Sequence, residues 1–205
     1  MSPSPSPPAA KPALGLRERK KIKLRRSAQR EALRLFAVQG YEQTTVEQIA
    51  DAAEISTSTF YRYFPTKEDV VLYDEYDPIF EDTILSRDQD ESLVTTVRAA
   101  VASVAAEVEA NREEALARLE LFATVPALQA RQGSESRRNL EFFSGLFATR
   151  SGRRADDFQL RVTASAFTAA QFEAGRYWAD TGARESLGQL MDDAVTFVEP
   201  LIAAL

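Results

Sequence analysis

TVEQIADAAEISTSTFYRYF, residues 45–64, decides the reading of this chain. Thr45 precedes a helical run with Gln48 three residues on. That is the spacing of a capping box, in which the two side chains satisfy each other's free backbone donors. Val46, Ile49, Ala50 and Ala53 fall on one face of that helix at spacings of three and four. Ala53, Glu54 and Ile55 then make a tight turn, with Ile55 plugging the corner. Ser56 caps a second short helix, whose Phe60 and Phe64 pack back against the first. Ala50 is small enough to let the two helices approach closely. Two short helices around such a turn have the length and punctuation of a helix-turn-helix.

The residues left facing outward are Thr57, Ser58, Thr59, Tyr61, Arg62 and Tyr63, with the cap Ser56 beside them. They carry hydroxyls, phenols and a guanidinium, and no carboxylate. Short hydroxyls near a helix start can enter a DNA major groove, and Arg can grip guanine in a bidentate pair. Tyr and the backbone amides of a helix start suit phosphates. The alternative is a plain corner between two helices, although a face so exposed would ordinarily carry acids or Lys.

Upstream, LRERKKIKLRRSAQREALRLFAVQ forms one long helix over residues 16–39, with Ala28, Ala32, Leu35 and Phe36 at helical spacing and Gly40 as its stop. Residues 11–30 hold nine Lys or Arg against the single acid Glu18. Residues 11–70 sum to +4 and residues 71–205 to −10, giving the overall −6. A basic beginning on an acidic chain points to a polyanion partner for that part alone, or else to a solvated helix face. Under the first reading Arg17, Lys20, Lys21, Lys23, Arg25 and Arg26 meet phosphates.

The 205 residues contain no Cys and no His. Disulfides, thiolate or imidazole catalysis and most zinc or transition-metal sites are thereby excluded. The 8 glycines are not spaced as a dinucleotide fingerprint or a phosphate loop. Acid pairs such as Glu113–Glu114, Asp156–Asp157 and Asp192–Asp193 have the look of solvated helix positions. No catalytic residue, metal or cofactor is expected, and the chain is read as a non-enzyme. Residues 1–15 begin MSPSPSPPAAKP and read as a disordered tail. They lack the apolar segment of a secretory signal, and no stretch approaches the roughly 18–20 apolar residues of a membrane span. A cytoplasmic protein that does not meet the membrane is expected.

Beyond Thr66 every periodic segment is helical, and no alternating strand pattern or hairpin signal occurs. One helix runs from Thr66 to about Leu85 with Pro78 kinking or interrupting it, and another from Pro126 to about Thr149. The expectation is an all-α chain of about nine helices.

GYEQTTVEQIADAAEISTSTFYRYFPTKEDVV, residues 40–71, together with LRLFAVQ before it, resembles the N-terminal domain of the TetR/AcrR family of transcriptional regulators. The likeness covers roughly residues 17–77. It implies an all-α homodimer, usually a repressor, with a three-helix DNA-binding domain over 16–77 and a larger helical domain for ligand binding and dimerisation over 78–205. Matched by position, Thr44 and Thr45 would touch phosphate, Thr57, Ser58, Tyr61, Arg62 and Tyr63 would face the DNA, and Lys67 would reach phosphate. Glu54 and Ser58 stand where the family often has glycine. A side chain at Glu54 puts a left-handed residue in the turn at a cost of ~1 kcal/mol. KEDVVLYDEYDPIFE and FEAGRYWAD are similar to a branch of actinobacterial members, which implies an acyl-coenzyme-A-like ligand.

In the second domain Phe80, Ile84, Val101, Leu119, Phe122, Phe143, Phe147 and Phe167 are candidates to line an apolar cavity between helices, where bundles place ligands. Singly, each is as consistent with ordinary core. Arg118, Arg161 and Arg176 lie in apolar stretches. Each could meet an anionic head group or a neighbouring Glu such as Glu120 or Glu173, and Arg176 is carried as the pocket candidate. By family resemblance the last two helices make the dimer contact. Their small residues, Ala164 to Gly175, and Leu187 to Leu201 fit that role or intramolecular packing equally. The expected partners are a palindromic double-stranded operator, an apolar small-molecule effector and a second copy of the chain. The competing reading is a helical architectural DNA-binding protein without a small-molecule switch, for which a filled second core would speak.

Overall fold

The computed structural model describes residues 16–205, so the expected tail over 1–15 lies outside the described residues. Eleven helices run in order among them, and no strand. They are α1 (Leu16–Gln39), α2 (Val46–Ala52), α3 (Thr57–Tyr63), α4 (Lys67–Leu72), α5 (Asp77–Ser86) and α6 (Leu93–Ala110), followed by α7 (Arg112–Thr124), α8 (Pro126–Gln129), α9 (Gln132–Ser151), α10 (Phe158–Asp180) and α11 (Leu187–Ala203). The all-α class is as expected. The count exceeds about nine because two expected helices are each broken in two.

The first break separates α4 from α5. Pro78 sits at the start of α5, where its missing N–H is harmless. One turn further into a continuous helix it would clash and leave a carbonyl without a donor. The carbonyls stranded at the end of α4 are taken by side chains instead. Gln29 Nε2 donates to Val70 O at 2.9 Å and to Tyr73 O at 2.7 Å, and Arg118 Nε donates to Val71 O at 2.8 Å. The second break, at Ala130–Arg131, lets α8 bury Leu128 in one core while α9 buries Phe147 in another.

Three apolar clusters organise the chain. The first joins α1 to α4 through Ala28, Ala32, Phe36, Ile49, Ala50, Phe60, Phe64 and Val70, and it also takes in Val125 and Leu128 from beyond α7. The second lies among α5, α6, α9, α10 and α11. A smaller third surrounds Trp178, whose indole donates to Glu185 O at 3.1 Å. No described helix is long and apolar enough to cross a membrane.

Candidate nucleic-acid interface

The helix-turn-helix forms as its local chemistry requires. Thr45 Oγ1 accepts from Gln48 N at 3.3 Å while Gln48 Oε1 accepts from Thr45 N at 3.0 Å, completing the capping box. Gln39 Nε2 reaches the same Gln48 Oε1 at 2.8 Å, which joins the end of α1 to the start of α2. The turn closes with Ile55 N donating to Ala50 O at 2.9 Å and Glu54 N donating to Asp51 O at 3.1 Å. That pair of bonds is the Schellman arrangement, which requires a left-handed residue, and Glu54 supplies it with φ of 56°. Ile49, Ala50, Phe60 and Phe64 are buried, and Val46, Ala53 and Ile55 pack partly buried against them.

Ser56 caps α3 by accepting from Thr59 N at 3.1 Å, and its hydroxyl lies 2.9 Å from those of Ser58 and Thr59. Thr45, Ser56, Ser58, Tyr61 and Arg62 are exposed, and Thr57, Thr59 and Tyr63 half-buried. Tyr61 keeps 49% of its surface in solvent, a large apolar ring for so small a helix to leave uncovered. The Arg62 guanidinium lies over the Tyr63 ring, 5.1 Å from its centroid. No carboxylate stands on α3 itself.

Four residues expected at phosphates sit elsewhere. Thr44 is buried, its hydroxyl donating to Gly40 O at 2.8 Å and accepting from Gln39 Nε2 at 3.1 Å. Lys67 Nζ donates to Tyr41 O at 2.8 Å and Thr44 O at 3.2 Å over the Tyr41 ring, so one of its three donors is left for anything else. Arg25 turns into the fold, over the Tyr73 ring at 4.9 Å. Arg26 donates to Glu75 O at 3.1 Å and pairs with the carboxylates of Glu75 and Glu107. Each of the four is engaged by a backbone carbonyl, a carboxylate or an aromatic ring within the fold, and spacing alone does not reveal that. Arg17, Lys20 and Lys23 remain exposed, and Lys21 is half-buried.

Gln29 was not singled out from the sequence. It is a buried polar residue on the same stripe of α1 as Ala32, Leu33 and Phe36, and that intrusion into an apolar face was its signal. Tyr41, whose hydroxyl donates to Glu68 Oε1 at 2.7 Å, was also missed. Burial raises its phenol far above the usual range, and that bond adds to the effect.

The ligand-pocket candidates divide. Phe80, Ile84, Val101, Phe143, Phe147 and Phe167 meet in the second cluster. There the rings of Phe80, Phe143, Phe147 and Phe167 pack on one another with centroids 5.0 to 6.3 Å apart. Leu119 belongs to the third cluster, and Phe122 to the first, beneath Arg118 at 5.6 Å. Arg176 is exposed and pairs with Glu173 at 2.7 Å and Asp180 at 3.3 Å, so it is no head-group anchor inside the bundle. Arg118 takes backbone carbonyls rather than Glu120.

A cleft of about 1540 Å³ opens instead beside α1, between Arg26 and Arg30 on one wall and Asp74, Asp77 and Glu81 on the other. Asp77 pairs with Arg138 at 3.3 Å. Burial first, and then the neighbouring Asp74, raise its carboxyl to about 7 against the pull of Arg138 and Arg118.

The fold and this site define a helix-turn-helix DNA-binding regulator whose described secondary structure is helical throughout. The chain belongs to the TetR family. Residues 30–73 match the model of bacterial regulatory proteins of the tetR family, and residues 91–203 match that of the MftR C-terminal domain. It is therefore a transcriptional regulator and not an enzyme. It is 33% identical over 202 residues to the HTH-type transcriptional regulator TcmR of Streptomyces glaucescens, spanning 93% of this chain and 89% of that one. Its fold is similar to that of Thermus thermophilus FadR, a repressor solved in complex with lauroyl-CoA: TM-score 0.58, 22% identity, 85% of this chain and 93% of that one. It is likewise similar to Bacillus subtilis FadR solved with stearoyl-CoA: TM-score 0.56, 18% identity, 88% and 98%.

Proposed function

We propose that this protein is a cytoplasmic, homodimeric repressor that binds a palindromic operator through residues 16–77 and releases it when residues 78–205 take up an apolar, acyl-coenzyme-A-like effector. The observation that carries the switch is the grip of the second region on α4. Arg118 from α7 holds the Val71 carbonyl, and Arg131 holds the Asp69 carboxylate at 2.8 Å. The other side of α4 lies against α1, which in turn packs on α2 of the helix-turn-helix. A shift of α7 is thus a shift of α4. In a dimer the two α3 helices must meet major grooves about 34–36 Å apart, so a few ångströms at α4 spoil the match.

Dimerisation is supported by the outer faces of α10 and α11. Phe158 and Phe197 are 83% and 85% exposed, and Phe172, Val162 and Leu201 accompany them. An apolar patch of this kind on the last two helices suits a self-complementary interface. The acyl-coenzyme-A class is supported by the two FadR structures.

The test is fluorescence anisotropy of a labelled duplex, recovered from a random pool by this protein, titrated with lauroyl-CoA. Release of the duplex is expected. Lauroyl-CoA that binds and leaves DNA affinity unchanged would favour the second reading, an architectural protein without a switch. The close ring packing of the second core speaks for that reading.

A further inference from the structure

We propose that Arg25 is a positioning residue for DNA reading: from α1 it joins Tyr63 at the end of α3 to Tyr73 beyond α4, and so sets how α3 presents Tyr61 and Arg62. This rests on α3 being the reading helix. The sequence places Arg25 in a basic run, yet its guanidinium lies among three rings, with centroids at 4.9 Å (Tyr73), 5.7 Å (Tyr63) and 5.9 Å (Phe64). Its Nη2 donates to Tyr63 O at 3.4 Å. That carbonyl ends α3 and has no following turn to supply a donor, because Phe64 leaves the helical conformation and Thr66 N donates to Asp69 Oδ2. A cation there also suits the negative end of the helix dipole. Arg25 Nε is buried and finds no acceptor, so the rings around it are what hold that edge of the guanidinium.

The grip is reinforced one turn along α1, where Gln29 takes the Tyr73 carbonyl at 2.7 Å. Arg25 and Gln29, four residues apart on one helix face, thus hold the ring and the backbone of Tyr73 together. At the other end, Tyr63 carries Arg62 over its ring at 5.1 Å. The side chain best suited to reading guanine therefore rests on the ring that Arg25 orients. Tyr73 lies at the break between α4 and α5, so a displacement there reaches Arg62 through three cation–ring contacts.

The experiment uses the full chain and the duplex recovered from a random pool, with anisotropy titrations at several salt concentrations against that duplex and a scrambled one. Arg25→Lys keeps the charge but replaces a flat guanidinium by a compact ammonium that cannot stack on the rings and donate to Tyr63 O at once. Tyr73→Leu removes the ring from the far side, and Tyr73→Phe restores it. Arg25→Lys and Tyr73→Leu are each expected to weaken selected-duplex binding about tenfold. Scrambled-duplex affinity and salt slope should hold, Tyr73→Phe should retain binding, and the double variant should be no worse than either single one. Stoichiometric titration of the binding-competent fraction with the duplex separates this from simple loss of protein, which cannot alter the ratio of the two affinities. If Arg25→Lys is too unstable to titrate, Tyr73→Leu against Tyr73→Phe decides alone.

The proposal is overturned if Tyr73→Leu keeps selected-duplex affinity. It is equally overturned if Arg25→Ala weakens both duplexes alike and flattens the slope by about 0.9, the mark of a phosphate contact. Tyr61→Ala is the separate check on the reading helix. If it binds as the parent does, α3 is not the reader, whereas loss at Tyr61 with silence at Arg25 and Tyr73 sinks only the positioning role.

Discussion

Phe167→Ala tests whether the second core is packed as the ring geometry implies. Phe167 is fully buried, with the rings of Phe143, Phe147 and Phe80 at 5.0, 5.5 and 5.8 Å. Truncating a buried Phe to Ala costs about 3–5 kcal/mol, the lost transfer energy plus the cavity left behind. Three aromatic neighbours, each contributing about 0.5–1.5 kcal/mol beyond burial, place this site near the top of that range. For a chain of this size a loss of about 4 kcal/mol lowers Tm by roughly 8–16 °C. The assay is thermal unfolding followed by circular dichroism at 222 nm, at fixed protein concentration. Phe197→Ala makes the same chemical change on the exposed face of α11. It should leave the Tm of dilute monomer nearly unchanged and instead raise the dissociation constant of the proposed dimer in sedimentation. A Phe167→Ala loss below about 1.5 kcal/mol would refute the reasoning, because only a cluster already loose enough to collapse around the gap escapes the cavity term.

Arg62→Ala should weaken binding to the selected duplex by roughly 1–3 kcal/mol while changing scrambled-duplex affinity little, since a bidentate guanine contact discriminates by that amount. Equal losses on both would make Arg62 a phosphate contact. Lys20→Ala with Lys23→Ala should flatten log affinity against log salt by up to about 1.8, or 0.9 per phosphate, and an unaltered slope would leave them a solvated face. Asp77→Asn should raise Tm at pH 8 and change little near pH 4. The folded carboxyl titrates at about 7, above its ordinary value, so its contribution is present at low pH and lost as pH rises through 7. Asn cannot ionise and escapes that loss. A variant less stable at pH 8 would mean that the Arg138 pair outweighs the burial penalty.

The α2–turn–α3 unit was legible because its determinants are local. A capping box spans four residues, a Schellman turn six, and an apolar stripe a few turns, so the order of residues 45–64 contains nearly every atom that acts on them. The exposed hydroxyls, Tyr61 and Arg62 followed from that stripe by subtraction. The basic run was legible as charge and not as geometry. Arg17, Lys20 and Lys23 reach solvent, while Arg25 and Arg26, two positions further on, are drawn inward by Tyr73 and Glu75 some fifty residues away.

By itself the order of residues determined the all-helical class, the helix-turn-helix and the want of imidazole and thiol chemistry, since these depend on residue type and short spacing. The tertiary structure decided where helices end when their carbonyls are claimed from afar. Pro78 announced an interruption, but only the packing of α1 and α7 supplied Gln29 and Arg118 to hold the cut end of α4. It also decided which phenylalanines share a core: Phe122 and Phe143, both in helices of similar pattern, fall into different clusters. The physical reason is one of range. Capping and periodicity act within a turn or two of helix. A guanidinium, a ring or a buried carboxylate takes its partner from whatever the fold brings within a few ångströms, and that distance is not written in the spacing of residues along the chain.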